Sequence, residues 1–351
     1  MKTEGALLST ALWLGACGAP DDGAPQAGGC GLHTAYAGDE FCLPAPTDEA
    51  DSQIHFGPES YDDPDNVAPY LIAPGEDHLY CVDEKLDTSV RYISGYTAAV
   101  RPGNHHLTLF ARGTGTPDFT FKQCANLPGT AVLPIKHDGA LHEIGTGPEY
   151  SGGAVQVPLA ITSWLLDVHY LNTGTAPILM EGWINLKSSE KPRVVLGLFQ
   201  FSGGTQMSVP PGATKVVTIP ATSCPLPSDV SIVSLGAHQH SHGTRESVSI
   251  QAGTTKTLVY ENYDWEHPFG ALFNSSTENA SLDRAAKTSG AVSGVLHVPK
   301  SNGITWECEI DNTLGSTIRY GLDIAANEMC AIAGLYVPPR SDGRSWGCTA
   351  Q

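Results

Sequence analysis

The chain has 351 residues, enough for one large domain or two ordinary ones, each with its own core. Its 37 acidic residues outnumber 19 basic ones and give a net charge of −18. That field repels nucleic acid and anionic lipid headgroups, and no basic cluster offsets it, so nucleic acid is excluded as a partner. Glycine (38) and proline (25) are abundant, and no long uninterrupted helix can be placed.

Residues 1–17 stand apart from the rest. Lys2 is followed by an apolar stretch from Ala6 to Ala16 that is too short to span a bilayer. It ends in Leu14-Gly15-Ala16-Cys17, which resembles the lipobox of bacterial lipoproteins, although Glu4 is unusual in such a charged leader. The resemblance implies that Cys17 is lipidated and becomes the mature N-terminus. It also implies that the protein is exported to the cell envelope, with membrane contact only through that lipid. Residues 18–53 then read as a tether and N-terminal extension, of which Gly18 to Gly29, rich in Gly, Pro, Ala and Asp, is the flexible part.

From Ile54 onward, short runs of Val, Ile, Thr and aromatic residues recur between Gly, Pro, Asn and Asp clusters. Thr162 to Leu171, Arg193 to Phe201 and Ala213 to Ile219 are examples. This rhythm predicts strands of an all-β sandwich or barrel. Gly203-Gly204 and Pro210-Pro211-Gly212 interrupt it, which places two domains at 54–202 and 203–351. The polar stretch from Asn274 to Lys287 reads as a long loop or short helix within the second.

Nine cysteines less Cys17 leave Cys30, Cys42, Cys81, Cys124, Cys224, Cys308, Cys330 and Cys348. An even number in an exported chain predicts disulfides but leaves many pairings open. No CxxC pair suggests a zinc ribbon or a thioredoxin-like site.

The histidines are few enough to take singly. His105 and His106 begin an alternating strand, His-His-Leu-Thr-Leu-Phe, and His169 lies in the strand-like Trp-Leu-Leu-Asp-Val-His-Tyr. Adjacent residues on a strand point to opposite faces, so His105 and His106 reach one ion only at a twist or bulge, which Gly103-Asn104 permits. His238, His240 and His242 form His-Gln-His-Ser-His-Gly. His238 and His240 share a face if the strand is regular, whereas Gly243 suggests that it ends near His242. Imidazole suits zinc, copper, iron and nickel, and a thioether such as Met329, in Asn-Glu-Met-Cys, points to copper. A single histidine or methionine in a β protein is ordinarily a packing residue. His267 and His297 are read that way, and His137 and His142, which flank Asp138-Gly139, as part of a surface turn. No hydrolase elbow, nucleotide-binding glycine loop or zincin motif is present.

Taken in order, these segments resemble the copper type II, ascorbate-dependent monooxygenases, the family of the peptidylglycine α-hydroxylating and dopamine β-monooxygenases. The matches are His105-His106, Val168-His169-Tyr170, His238-Gln239-His240 and Glu328-Met329-Cys330. Asn262-Tyr263-Asp264-Trp265 and Cys308-Glu309-Ile310-Asp311-Asn312 look like the bacterial branch. The resemblance covers about residues 54 to 340 and implies two tandem jelly-roll-like β-sandwiches with one copper each, on facing surfaces. His105, His106 and His169 would hold the electron-transfer copper. His238, His240 and Met329 would hold the catalytic copper, where O2 and a small-molecule substrate meet, with ascorbate or an equivalent one-electron reductant. The implied disulfides are Cys308 with Cys330, Cys224 with Cys348 and Cys81 with Cys124, which leaves Cys30 with Cys42.

The chain also departs from the family. Leu107 to Gly115 lacks a cysteine found there, and the positions that hold the substrate in the peptide hydroxylases are here Gly236, Ala331 and Ala333. A peptidylglycine substrate is not expected, and Arg245 and Tyr170 are the nearest replacements by sequence. The alternative is a copper-binding lipoprotein on the same fold without turnover.

Overall fold

A computed structural model describes residues 30–85, 91–112, 122–124, 131–135, 137–157, 163–265, 268–321, 323–342 and 344–350. The leader, the Gly18–Gly29 stretch, Cys17 and His267 lie outside these residues. The described chain is mostly β-strand, as the Gly- and Pro-punctuated rhythm of the sequence predicts. No helix among the described residues is long and apolar enough to cross a membrane.

One eleven-stranded sheet runs through both halves. Its first-half part contains Ser52–Phe56, Gly182–Ser188, Tyr92–Val100 and Gly153–Gln156, and its second-half part contains Cys330–Val337, Val230–His238 and Gly270–Leu272. The strand Val194–Gly203 joins them. Val194 to Leu196 pair in parallel with Gly153 to Val155, and Gly197 to Gly203 pair antiparallel with Tyr336 to Cys330. The sequence-predicted boundary therefore falls at the end of a strand that serves both halves.

Each half has a separate five-stranded sheet. In the first, Ser163–Leu171 lies between Asp77–Lys85 and Asn104–Arg112. All but its last residue are buried, as a central strand covered on both faces requires. In the second, Gly303–Asp311 pairs with Thr214–Ile219 and Gly243–Ala252. Two apolar cores result, one containing Trp164, Leu166 and Val168, the other Phe201, Trp306 and Ile310. Each such fully buried side chain contributes about 1.5–3 kcal/mol by leaving water.

Four disulfides join Cys30 to Cys42, Cys81 to Cys124, Cys224 to Cys348 and Cys308 to Cys330. Such a set is typical of an oxidising, extracellular compartment. The last of them ties the Gly303–Asp311 strand to the start of Cys330–Val337, one residue past Met329. From Cys30 onward the N-terminal extension is docked. Arg101 donates to Asp39 at 2.7 Å and to the buried Glu181 at 2.6 Å, and Cys42 and Leu43 pack on Ala99 and Trp183. The Asn274–Lys287 stretch forms turns and an isolated bridge between Asp283 and Thr288, with no helix.

Candidate metal centre

The first histidine set is assembled by a bulge. Along the pairing of Ser163–Leu171 with Asn104–Arg112, His169 sits opposite His106 and Tyr170 opposite Asn104, so His105 is the extra residue. Gly103, at φ +99°, turns the chain into it, and a Cβ there would lie 2.3 Å from Ile178 Cδ1. The Asn104 amide pins the bulge by donating to the carbonyls of His106 (3.1 Å) and His169 (3.0 Å). Neighbouring side chains that a regular strand would send to opposite faces thus turn together.

One ring nitrogen from each of His105, His106 and His169 lies within 4.8 Å of the others. His105 Nδ1 and His106 Nδ1 are 3.2 Å apart. His169, 2% exposed, has a buried Nδ1 with no hydrogen-bond partner, while its Nε2 donates to Asp77 Oδ1 at 2.5 Å. Burial is the largest influence on His169 and lowers its pKa, partly opposed by Asp77, so the neutral, metal-ligating form is favoured. His106 Nε2 faces Asp167 Oδ2 at 3.4 Å.

A cation fits these residues. Two of the three imidazoles have a carboxylate at the nitrogen remote from the cluster, the arrangement that orients metal-ligating histidines. Asp167 is buried, with Oδ1 lacking any hydrogen bond, a costly placement for a carboxylate unless positive charge is near. The donor set suits a nitrogen-preferring divalent or cuprous ion. Asp167→Asn is expected to weaken the binding of a metal ion added to this trio by about ten- to a hundredfold, measured by competition against a chelator; unchanged affinity would make Asp167 a packing residue.

The second set differs from expectation in detail. The Val230–His238 strand ends at His238, so His240 lies in the following turn rather than on a regular strand face. That turn closes with the Gly243 N–H donating to the His240 carbonyl at 3.0 Å. The rings of His238 and His240 still lie 5.3 Å apart. His240 Nδ1 is 3.3 Å from the Asn327 carbonyl, which leaves Nε2 for a ligand. His242 is turned away, with its Nε2 3.0 Å from the Ala325 carbonyl, and plays no part in the cluster.

The backbones of Met329 and His240 are brought together by a carboxylate. His238 pairs with Ala331, the last pair of that ladder, and His240 and Met329 lie just beyond it. Glu328, fully buried, accepts the backbone N–H groups of His240 (2.5 Å), His242 (3.1 Å) and Met329 (2.9 Å), and that of Gly243 as well. Burial outweighs these donors and pushes its carboxyl up to about 7. Glu246 lies behind the same turn and accepts the His238 N–H at 3.1 Å.

Burial pushes His240 down to about 3 and His238 well below the usual histidine range. The rest of the His238 shift comes from its neighbours His240, His106, His105 and His169. The His106 and His238 rings are 5.5 Å apart, so the two sets face and touch each other across the halves. Trp265, from the loop after Thr255–Asn262, packs on His105 at 5.3 Å. Sequence reasoning assigned no role to Trp265 or Asp77. Asp167 stands two residues before His169 and shares its strand face, a period-two signal legible in the sequence.

The other candidates are structural. Tyr170 is fully buried, its hydroxyl donating to the carbonyls of Glu181 (3.0 Å) and Arg101 (3.3 Å), and Arg245 is paired with Glu261 at 2.6 Å. Neither stands in for a substrate anchor. His142 pairs with Asp138 at 2.7 Å and stacks on Tyr96, and His297 lies 3.4 Å from the Ser231 hydroxyl. Among the described residues, the remaining metal-like groupings each contain a disulfide, Cys81–Cys124 or Cys308–Cys330, whose sulfurs are not thiolates. Compared with known proteins, the chain matches no protein-family model and no curated sequence.

Proposed function

We propose that the chain is a copper-dependent monooxygenase that hydroxylates a C–H bond of a small substrate with O2 and a one-electron reductant such as ascorbate. The observation that carries this reading is the meeting of two unlike donor sets, three imidazoles on one side and two on the other, with the Met329 backbone tied to that of His240 through Glu328. His105, His106 and His169 would hold one copper, and His238, His240 and Met329 the second. Copper, when bound, supplies one-electron redox chemistry, and a three-ligand site keeps a coordination position open.

The chain's own groups fix the donors. Asp77 keeps the proton on His169 Nε2 and turns its Nδ1 inward, and Asp167 does the equivalent for His106. The Asn327 carbonyl orients His240, and Glu328 holds the His240 and Met329 backbones together. Met329 provides the soft sulfur that favours Cu(I). By the same reading Cys17 is the lipid anchor of an exported, cell-envelope protein.

A second reading, a copper-binding lipoprotein without turnover, is favoured by the backbone around the second set. Gly236 pairs with Ala333 and His238 with Ala331, so no polar side chain is offered at Gly236, Ala331 or Ala333 to hold a substrate. Both readings expect copper. Ascorbate-driven, copper-dependent oxygen uptake coupled to a hydroxylated product is expected of the enzyme. Stoichiometric copper with no uptake across a substrate panel would favour the second reading, and failure to hold copper at either set would overturn both.

A further inference from the structure

We infer that Trp265 is a positioning residue of the His105/His106/His169 centre, supplied from the opposite half, so that this centre is complete only when the halves are docked. The inference rests on the metal-binding reading above. The indole lies 5.3 Å from the His105 ring, centroid to centroid, with the planes tilted by 35°.

The loop that carries Trp265 is built to hold it there. Asn262, 1% exposed, closes it from inside: its Nδ2 donates to the Asp264 carbonyl at 2.7 Å, and its Oδ1 accepts the Phe269 N–H at 3.1 Å and the Ser289 hydroxyl at 2.6 Å. Tyr260 clamps the returning strand, its hydroxyl donating to the Phe269 carbonyl at 2.5 Å while the two rings stack 12° from parallel. Both ends of the loop are thus tied to one buried amide, and Trp265 projects between them.

His105 is the ring on which such support acts. It is the extra residue of the bulge, whereas His106 and His169 sit opposite each other in register. An indole against its ring restricts side-chain rotation and excludes water from one face of the ligand. The other described tryptophans, Trp164, Trp183, Trp306 and Trp346, are core residues at most 5% exposed, whereas Trp265 is half-buried at the junction.

The test is a Cu(II) titration of the full chain and of its Trp265→Ala and Trp265→Phe variants, read by chelator competition and by indole fluorescence. In the parent protein, copper binding at the trio should quench Trp265. Trp265→Ala should weaken one of the two coppers about tenfold, the effect expected on losing an outer support, and leave the other unchanged. Trp265→Phe should restore the affinity but lack the quenching.

Trp265→Ala that keeps both coppers at parental affinity would overturn the inference alone. Loss of both coppers in Ala and Phe variants alike would make Trp265 a folding residue and overturn it too. A parent that binds no copper would instead overturn the functional reading, and the inference with it.

Discussion

Glu328→Ala is expected to be the most damaging single change at the second set, costing about 3 kcal/mol or more, because several buried backbone N–H groups lose their acceptor at once. The carboxylate is fully buried and accepts backbone N–H groups on both sides of the site, from His240, His242 and Gly243 in the turn and from Met329 beside the strand. Alanine strands these donors away from water, and each unsatisfied group costs about 1–3 kcal/mol. Relief of the carboxylate's own desolvation offsets part of this. The stranded donors win, because they lie in a turn whose shape depends on them. Urea unfolding should show a lower midpoint with an unchanged slope, and copper should be lost from the His238/His240/Met329 set. A stability within about 0.5 kcal/mol of the parent's, the usual scatter for surface changes, would show that the turn holds its shape without Glu328.

Met329→Ile separates packing from chemistry. The side chain is half-buried, and exchange for a branched residue of similar volume costs less than about 1.5 kcal/mol. The fold and the copper held by His105, His106 and His169 should persist. Hydroxylation should fall to background, because isoleucine fills the space without a sulfur donor, and the remaining His238/His240 pair lacks the thioether preference for Cu(I). Normal turnover in this variant would show that Met329 is a core residue only.

The strands were legible because period-two alternation and Gly/Pro punctuation are local signals. Gly103-Asn104 before two adjacent histidines marked the bulge that makes His105 and His106 converge, and Gly243 marked the turn that removes His242 from the cluster. That turn begins earlier than the alternation suggested, directly after His238, because Glu328 and Glu246 capture the backbone N–H groups around it.

Groups that meet only through long-range register left no local trace. Asp77 reaches His169 from 92 residues away, and Glu328 reaches His240 from 88, so neither role follows from its sequence neighbours. Trp265 likewise meets His105 only when the two halves dock. The end of the strand Val194–Gly203 was readable from the glycines and prolines that follow it. The sharing of Val194–Gly203 by both halves was not, because alternation specifies a strand and leaves its neighbours open.

Copper content per chain, measured on the reconstituted protein beside its His240→Ala variant, tests the paired-site account most directly. The account predicts two coppers in the parent and one in the variant, with the remaining ion held by His105, His106 and His169. Zero or non-stoichiometric copper in the parent, or two tightly held coppers after His240 is removed, would contradict it.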